Sequence, residues 1–143
     1  MANELIFKKL EQIKELLNEL ERLLRAPREE FVRDLTAIRA AERNFQLAVD
    51  IASDINTQIA IQRGGKTPDT YRESFSALER EGILPRELAR RLMDSAKVRN
   101  ILVHEYDFEE DYEKFYHAAQ ASVPAYRDYA KTIYEYVRSV ENI

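Results

Sequence analysis

The sequence has no cysteine. That absence excludes a disulfide framework, a cysteine nucleophile and a thiolate metal site. Glycine and proline are scarce, at 3 and 4 residues, which disfavours a turn-rich all-β fold. No apolar run approaches the length of about 18 residues that a membrane-spanning helix needs, so no membrane association is expected. The N-terminal stretch MANELIFKKLEQIKELL does not read as a signal peptide, because charges interrupt its apolar positions. A cytoplasmic protein is expected. An excess of positive charge is missing too: 22 basic residues face 26 acidic ones, for a net charge of -4. This argues against broad nonspecific affinity for nucleic acid, which needs clustered positive charge. It leaves room for a local basic cleft, since basic residues gather in LPRELARRLMDSAKVRN (84–100) and QRGGK (62–66).

What is present is helical pattern. The 143 residues are 45% hydrophobic and 34% charged, which suits one domain with long solvated helix faces. Leu10, Ile13, Leu17, Leu20 and Leu24 alternate by three and four. They predict a first helix over about residues 4–25, ended at RAPRE by Pro27. The seam suits packing on the protein's own core or an intermolecular zipper, and its shortness favours the first. Phe31, Leu35, Ile38, Phe45, Val49, Ala52, Ile55 and Ile59 predict a second helix over about 29–61. The loop RGGKTPDT follows. It is not a phosphate-binding P-loop, because the Gly-x-x-x-x-Gly-Lys spacing and a preceding strand are both missing. TYRESFSALEREG predicts a short helix with Gly82 as its C-terminal cap. Pro85 opens the next helix, which continues to about residue 104. DFEE resembles a capping box, with Asp107 as cap and Glu110 reaching back, and starts a short helix to about 119. Pro124 then opens the last helix. The expectation is an all-α bundle of about five helices.

The stretch RNILVHEY (99–106) concentrates the chemistry. Arg99 and His104 stand five residues apart, about 140° of helical rotation, so they do not share a face. Met93, Lys97, Asn100 and His104 form one stripe, and Leu92, Ala96, Arg99 and Val103 its neighbour. Arg99 converges on His104 only if the helix unwinds near 104 or a second subunit completes the site. No Ser/His/acid set accompanies them. The two histidines, His104 and His117, have no H-E-x-x-H spacing, so no metal site is expected. A histidine near neutral pKa exchanges a proton. An arginine holds a phosphate and stabilises charge building on it. RNA brings its own nucleophile in the 2′-OH. The pair is thus a minimal kit for metal-independent RNA cleavage, with Asn100 able to orient the phosphate or the imidazole. On spacing alone a structural role for both side chains fits better, because Arg-x-x-x-x-His occurs by chance in many helical proteins.

KVRNILVHEYD resembles the signature of HEPN-domain proteins: Arg, a polar residue, three others, then His. The tyrosine two residues later resembles the HepT toxin branch. TYRESFSALEREGILPRELARRLMDSAKVRN and AERNFQLAVDIASDI are similar to that family's lead into the motif and its second helix. The resemblance covers roughly residues 31–140. It implies a single HEPN domain over 1–143, with a leucine-rich N-terminal helix over 1–28 and the motif-bearing bundle over 29–143. It implies a ribonuclease toxin of a type VII-like toxin–antitoxin system, working as a homodimer with its site between subunits. His104 would be the general acid/base, Arg99 the phosphate ligand, Asn100 the polar position, and Asp54 a supporting acid in the cleft. Tyr106 would receive AMP from a cognate minimal nucleotidyltransferase antitoxin. Such a group adds bulk and negative charge beside a phosphate-binding site. No cofactor or metal is implied. Arg63, Lys66, Arg90, Arg91 and Lys97 are candidates for the basic cleft that RNA would need. The alternative is a non-catalytic, nucleotide- or substrate-binding partner of a nucleotidyltransferase.

Overall fold

The computed structural model describes residues 2–104 and 108–141, with the side chains of 3–102 and 112–141. These residues form six helices and no strand: α1 (Ala2–Leu23), α2 (Arg28–Phe31), α3 (Leu35–Gln62), α4 (Tyr71–Arg80), α5 (Arg86–His104) and α6 (Phe108–Glu141). None of them is long and apolar enough to cross a membrane.

The leucine seam is spent internally. Ile6, Leu10, Ile13, Leu17, Leu20 and Leu24 are all buried, and α1 packs against α3 and α6. The same core takes Phe45, Val49 and Ile55 of α3, Phe75 of α4, Leu92 and Ala96 of α5, and Tyr126 and Tyr129 of α6.

Two helix boundaries differ from the sequence expectation. The helix expected over 29–61 is divided into α2 and α3. Asp34 turns extended (φ -105°, ψ 91°) and its Oδ1 accepts the Ala37 N–H at 3.1 Å. That cap satisfies an orphan donor and competes with continued helix. Pro124 does not start a helix but lies inside α6. An interior proline costs about 3 kcal/mol through its missing N–H and ring clash. Continuous burial of Phe115, Ala119, Val123, Tyr126, Tyr129, Ile133 and Val137 on one face offsets it. Pro124 itself faces solvent. The capping box at Asp107 lies outside the described residues.

The other helix ends follow the sequence. Gly64 (φ 81°) and Gly82 (φ 76°) close α3 and α4 in left-handed conformation. Each is followed by a residue whose N–H returns to the helix: Gly65 to the Ala60 carbonyl and Ile83 to the Leu78 carbonyl, both at 2.9 Å. Thr70 caps α4 by accepting the Glu73 N–H at 3.0 Å. Pro85 precedes α5 and its carbonyl accepts the Ala89 N–H at 2.9 Å.

Candidate functional site

The site grows from three helices that meet beside the α4 cap. Thr70 sets Tyr71 as the first residue of α4. A buried chain of hydrogen bonds then fixes that turn. The Ser74 hydroxyl donates to the Tyr71 carbonyl at 2.7 Å, and Asn56 Nδ2 donates to Ser74 Oγ at 3.1 Å. Tyr129 closes the chain by donating its hydroxyl to Asn56 Oδ1 at 2.6 Å. Asn56, Ser74 and Tyr129 are fully buried. The first turn of α4 is therefore tied to α3 and, through Tyr129, to α6.

Arg99 of α5 meets this corner. Its Nε donates to Asp50 Oδ1 of α3 at 3.2 Å, with the side chains 17% and 33% exposed. Its guanidinium carbon lies 4.4 Å from the centroid of the Tyr71 ring, a cation–π distance. Burial pushes the Tyr71 phenol above its ordinary pKa. The Asp50 carboxylate, as acceptor and as charge, adds to that rise, and the Arg99 charge opposes it. The consequence for Arg99 is orientation. One N–H is committed to Asp50 and one face to Tyr71, so the plane of the guanidinium is set by its own chain.

Asn100 is exposed next to Arg99 and forms a wall shared by two clefts. One, of about 410 Å³, is lined by Ser53, Pro68, Asp69, Thr70, Tyr71 and Asn100. The other, of about 420 Å³, is lined by Arg72, Met93, Asp94, Lys97 and Asn100. A larger cavity of about 520 Å³ lies along the loop after α3; Lys66 lines it, but Asp54, Arg99 and Asn100 do not.

His104 is the last residue of α5; its side chain, like the whole of Tyr106, lies outside the described residues. The helix stays regular through 104, so Arg99 and His104 do not converge on one helix face. Asp54 is not brought to Arg99. It is exposed, and its Oδ2 lies 3.6 Å from Lys9 Nζ of α1. Asp50, one turn earlier, takes the place beside Arg99. Asp50 and Tyr71 are the residues the sequence reading missed. The Asp50/Asp54 spacing of one turn was a signal for the first, and the Thr70 cap a signal for the second. Of the five candidate basic residues, Arg63 is engaged by Glu81 (3.2 Å) and the Tyr136 hydroxyl (3.1 Å), and Arg91 faces Asp128 at 3.8 Å. Lys66, Arg90 and Lys97 make no ion pair among the described residues. No group of three His, Asp or Glu side chains among those residues is placed to hold a metal ion.

Residues 13–133 match the family described as HepT-like, Ribonuclease HepT-like. A tRNA nuclease HepT from Aphanizomenon flos-aquae is 30% identical over 134 residues, spanning 93% of this chain and 90% of that protein. A solved mutant of the MntA–HepT toxin–antitoxin superposes with a TM-score of 0.82 at 23% identity, covering 92% of this chain and 98% of its counterpart. The tri-AMPylated HEPN toxin of Shewanella oneidensis, solved in complex with an MNT antitoxin, gives 0.80 at 23% identity, with 91% and 96% covered. At that identity the structural likeness is one of fold.

Proposed function

This chain belongs to the HepT-like ribonuclease family, and we propose that it is a toxin that cleaves RNA without a metal ion. The observation that carries the reading is the Arg99 guanidinium. Asp50 holds its Nε, the Tyr71 ring lies against its face, and Asn100 is next in sequence. In the proposed reaction His104 removes the proton of the 2′-OH, which attacks the adjacent phosphorus. The P–O5′ bond breaks, leaving a 2′,3′-cyclic phosphate, and the departing 5′-oxygen takes the proton from the His104 imidazolium to become a 5′-OH. Arg99 neutralises charge building on the phosphoryl oxygens, and Asn100 orients the phosphate. Asp50, rather than Asp54, supports the site by positioning Arg99.

The active form is a homodimer acting in the cytoplasm. The regular helix through His104 supports this, because one chain presents Arg99 and His104 about 140° apart and a partner supplies the missing half. We assign the whole chain, α1 included, to one domain. A minimal nucleotidyltransferase antitoxin adds AMP to Tyr106; the AMPylated toxin in complex with an MNT antitoxin supports that partner. tRNA, named in the Aphanizomenon relative, is the first substrate to test.

The test is incubation of purified protein, with Tyr106 unmodified, with RNA in the presence of a metal chelator. Cleavage leaving 2′,3′-cyclic ends, abolished in Arg99→Ala and His104→Ala, is expected. RNA left intact by excess protein sinks the reading, and nucleotide binding without turnover would favour the non-catalytic partner instead.

A further inference from the structure

The second cleft beside Asn100 has no part in the chemistry above. Two cations face it, Arg72 from α4 and Lys97 from α5, together with Met93 and Asp94. Both cations are exposed, and neither has an ion-pair partner among the described residues. Lys66 and Arg90 lack such a partner too, whereas Arg39, Arg63, Arg80 and Arg91 each stand within 4 Å of a carboxylate; what marks Arg72 and Lys97 is that the cleft bordered by Asn100 takes both. Asp94 lines the cleft without neutralising either cation through an ion pair. The titratable lining thus sums to one positive charge. That balance matches a phosphodiester, with a single negative charge, better than a doubly charged terminal phosphate.

The cleft also lies on a line with the proposed cleavage site. Lys97, Asn100 and His104 follow one another at three and four residues on α5, one stripe of a helix. Lys97 and His104 are separated by about 10 Å along the axis, within the reach of neighbouring nucleotides of an extended strand. Asn100 belongs to both clefts, so it borders Tyr71 on one side and the two cations on the other.

We propose that Arg72 and Lys97 form a subsite for the phosphodiester next to the one cleaved, in single-stranded RNA. The proposal rests on the ribonuclease reading and deepens it. A backbone contact of this kind fixes register and affinity without reading sequence. It also gives an acidic chain a local contact for RNA that needs no broad positive surface.

The test separates binding from cleavage. Affinity for a labelled single-stranded RNA oligomer is measured by fluorescence anisotropy across a salt series, in the His104→Ala chain so that nothing turns over. Adding Arg72→Ala and Lys97→Ala weakens binding and reduces the slope of log affinity against log salt by about 0.7, the value for one lost phosphate contact on a single strand. Lys97→Arg, tested singly, keeps both affinity and slope, and Asp94→Asn tightens binding. Lys131→Ala, on the exposed side of α6 away from this cleft, leaves the slope as it was. An unchanged slope in the double variant overturns the subsite, as does an equal loss from Lys131→Ala or RNA that does not bind at all. So does loss of binding to the nucleotidyltransferase partner with RNA affinity intact, which would make the cleft a protein contact. A wild-type chain that binds RNA with this salt response yet never cuts it would sink the cleavage reading and leave the subsite standing.

Discussion

Asp50→Asn is the most informative single change, because it alters charge and little else at the Arg99 corner. At 3.2 Å the Coulomb energy of the pair is about 5 kcal/mol with an effective dielectric of about 20, and about 1.3 kcal/mol in bulk water. The side chains are 17% and 33% exposed, so the pair lies between these limits, and desolvation takes back part of the gain. A net coupling of about 1–2 kcal/mol is expected. Stacking on Tyr71 survives the substitution and keeps Arg99 folded against α4, at about 0.5–1 kcal/mol. With an unfolding entropy near 2.1 cal/mol/K per residue, the whole chain unfolds with about 0.3 kcal/mol/K, so Tm should fall by about 3–7 °C. The coupling is isolated by a double-mutant cycle of Asp50→Asn and Arg99→Gln in urea unfolding. Cleavage should fall by about 10- to 100-fold, because the guanidinium keeps its charge and loses its aim. Two results refute the reasoning. A coupling below about 0.3 kcal/mol would mean that the pair does not act as a unit. Faster cleavage in Asp50→Asn would mean that Asp50 withholds Arg99 from the phosphate instead of presenting it.

Tyr129→Phe removes the hydroxyl that donates to Asn56 Oδ1 at 2.6 Å in a fully buried pair; the stranded amide oxygen should cost about 1–3 kcal/mol in urea unfolding, and a loss below about 0.5 kcal/mol would show that the network does not hold α4 in place. If Arg99 of one subunit works with His104 of the other, co-expressed Arg99→Ala and His104→Ala chains should recover about a quarter of wild-type cleavage through mixed dimers, whereas no recovery from a verified mixed dimer would put both residues to work in the same chain.

The fold was legible where one periodicity and one terminator agree. The seam from Leu10 to Leu24 and the left-handed glycines at 64 and 82 both translate into observed elements. It was illegible where two local rules compete. The apolar spacing runs straight through Phe31 and Leu35, so nothing in the period reveals the break that Asp34 makes by capping α3. At Pro124 the reverse holds: a strong local signal for a boundary loses to a buried face that continues on both sides of it. Propensity is local and burial is cooperative, and the longer apolar face prevailed.

At the site, the motif residues could be read from spacing, but their partners could not. Asp50 and Asp54 stand one turn apart on α3, so helical geometry gives both the same general direction. What separates them is the packing of α1, whose Lys9 draws off Asp54, and of α5, which sets Arg99 against Asp50. Those are long-range choices that no window of sequence contains. The same packing gives the two sides of α5 different tasks. The Arg99 side is occupied by its own chain, against Asp50 and Tyr71. On the other side Lys97 and Asn100 are exposed, on the stripe that continues in sequence to His104. Tyr106 follows that stripe by two residues in sequence, so AMP added there, as proposed, would put a charge close along the chain to the proposed catalytic His104. Such an AMP would oppose the phosphate of the strand while Asp50 and Tyr71 keep hold of Arg99, so the proposed switch would act on access to the site and leave its frame folded.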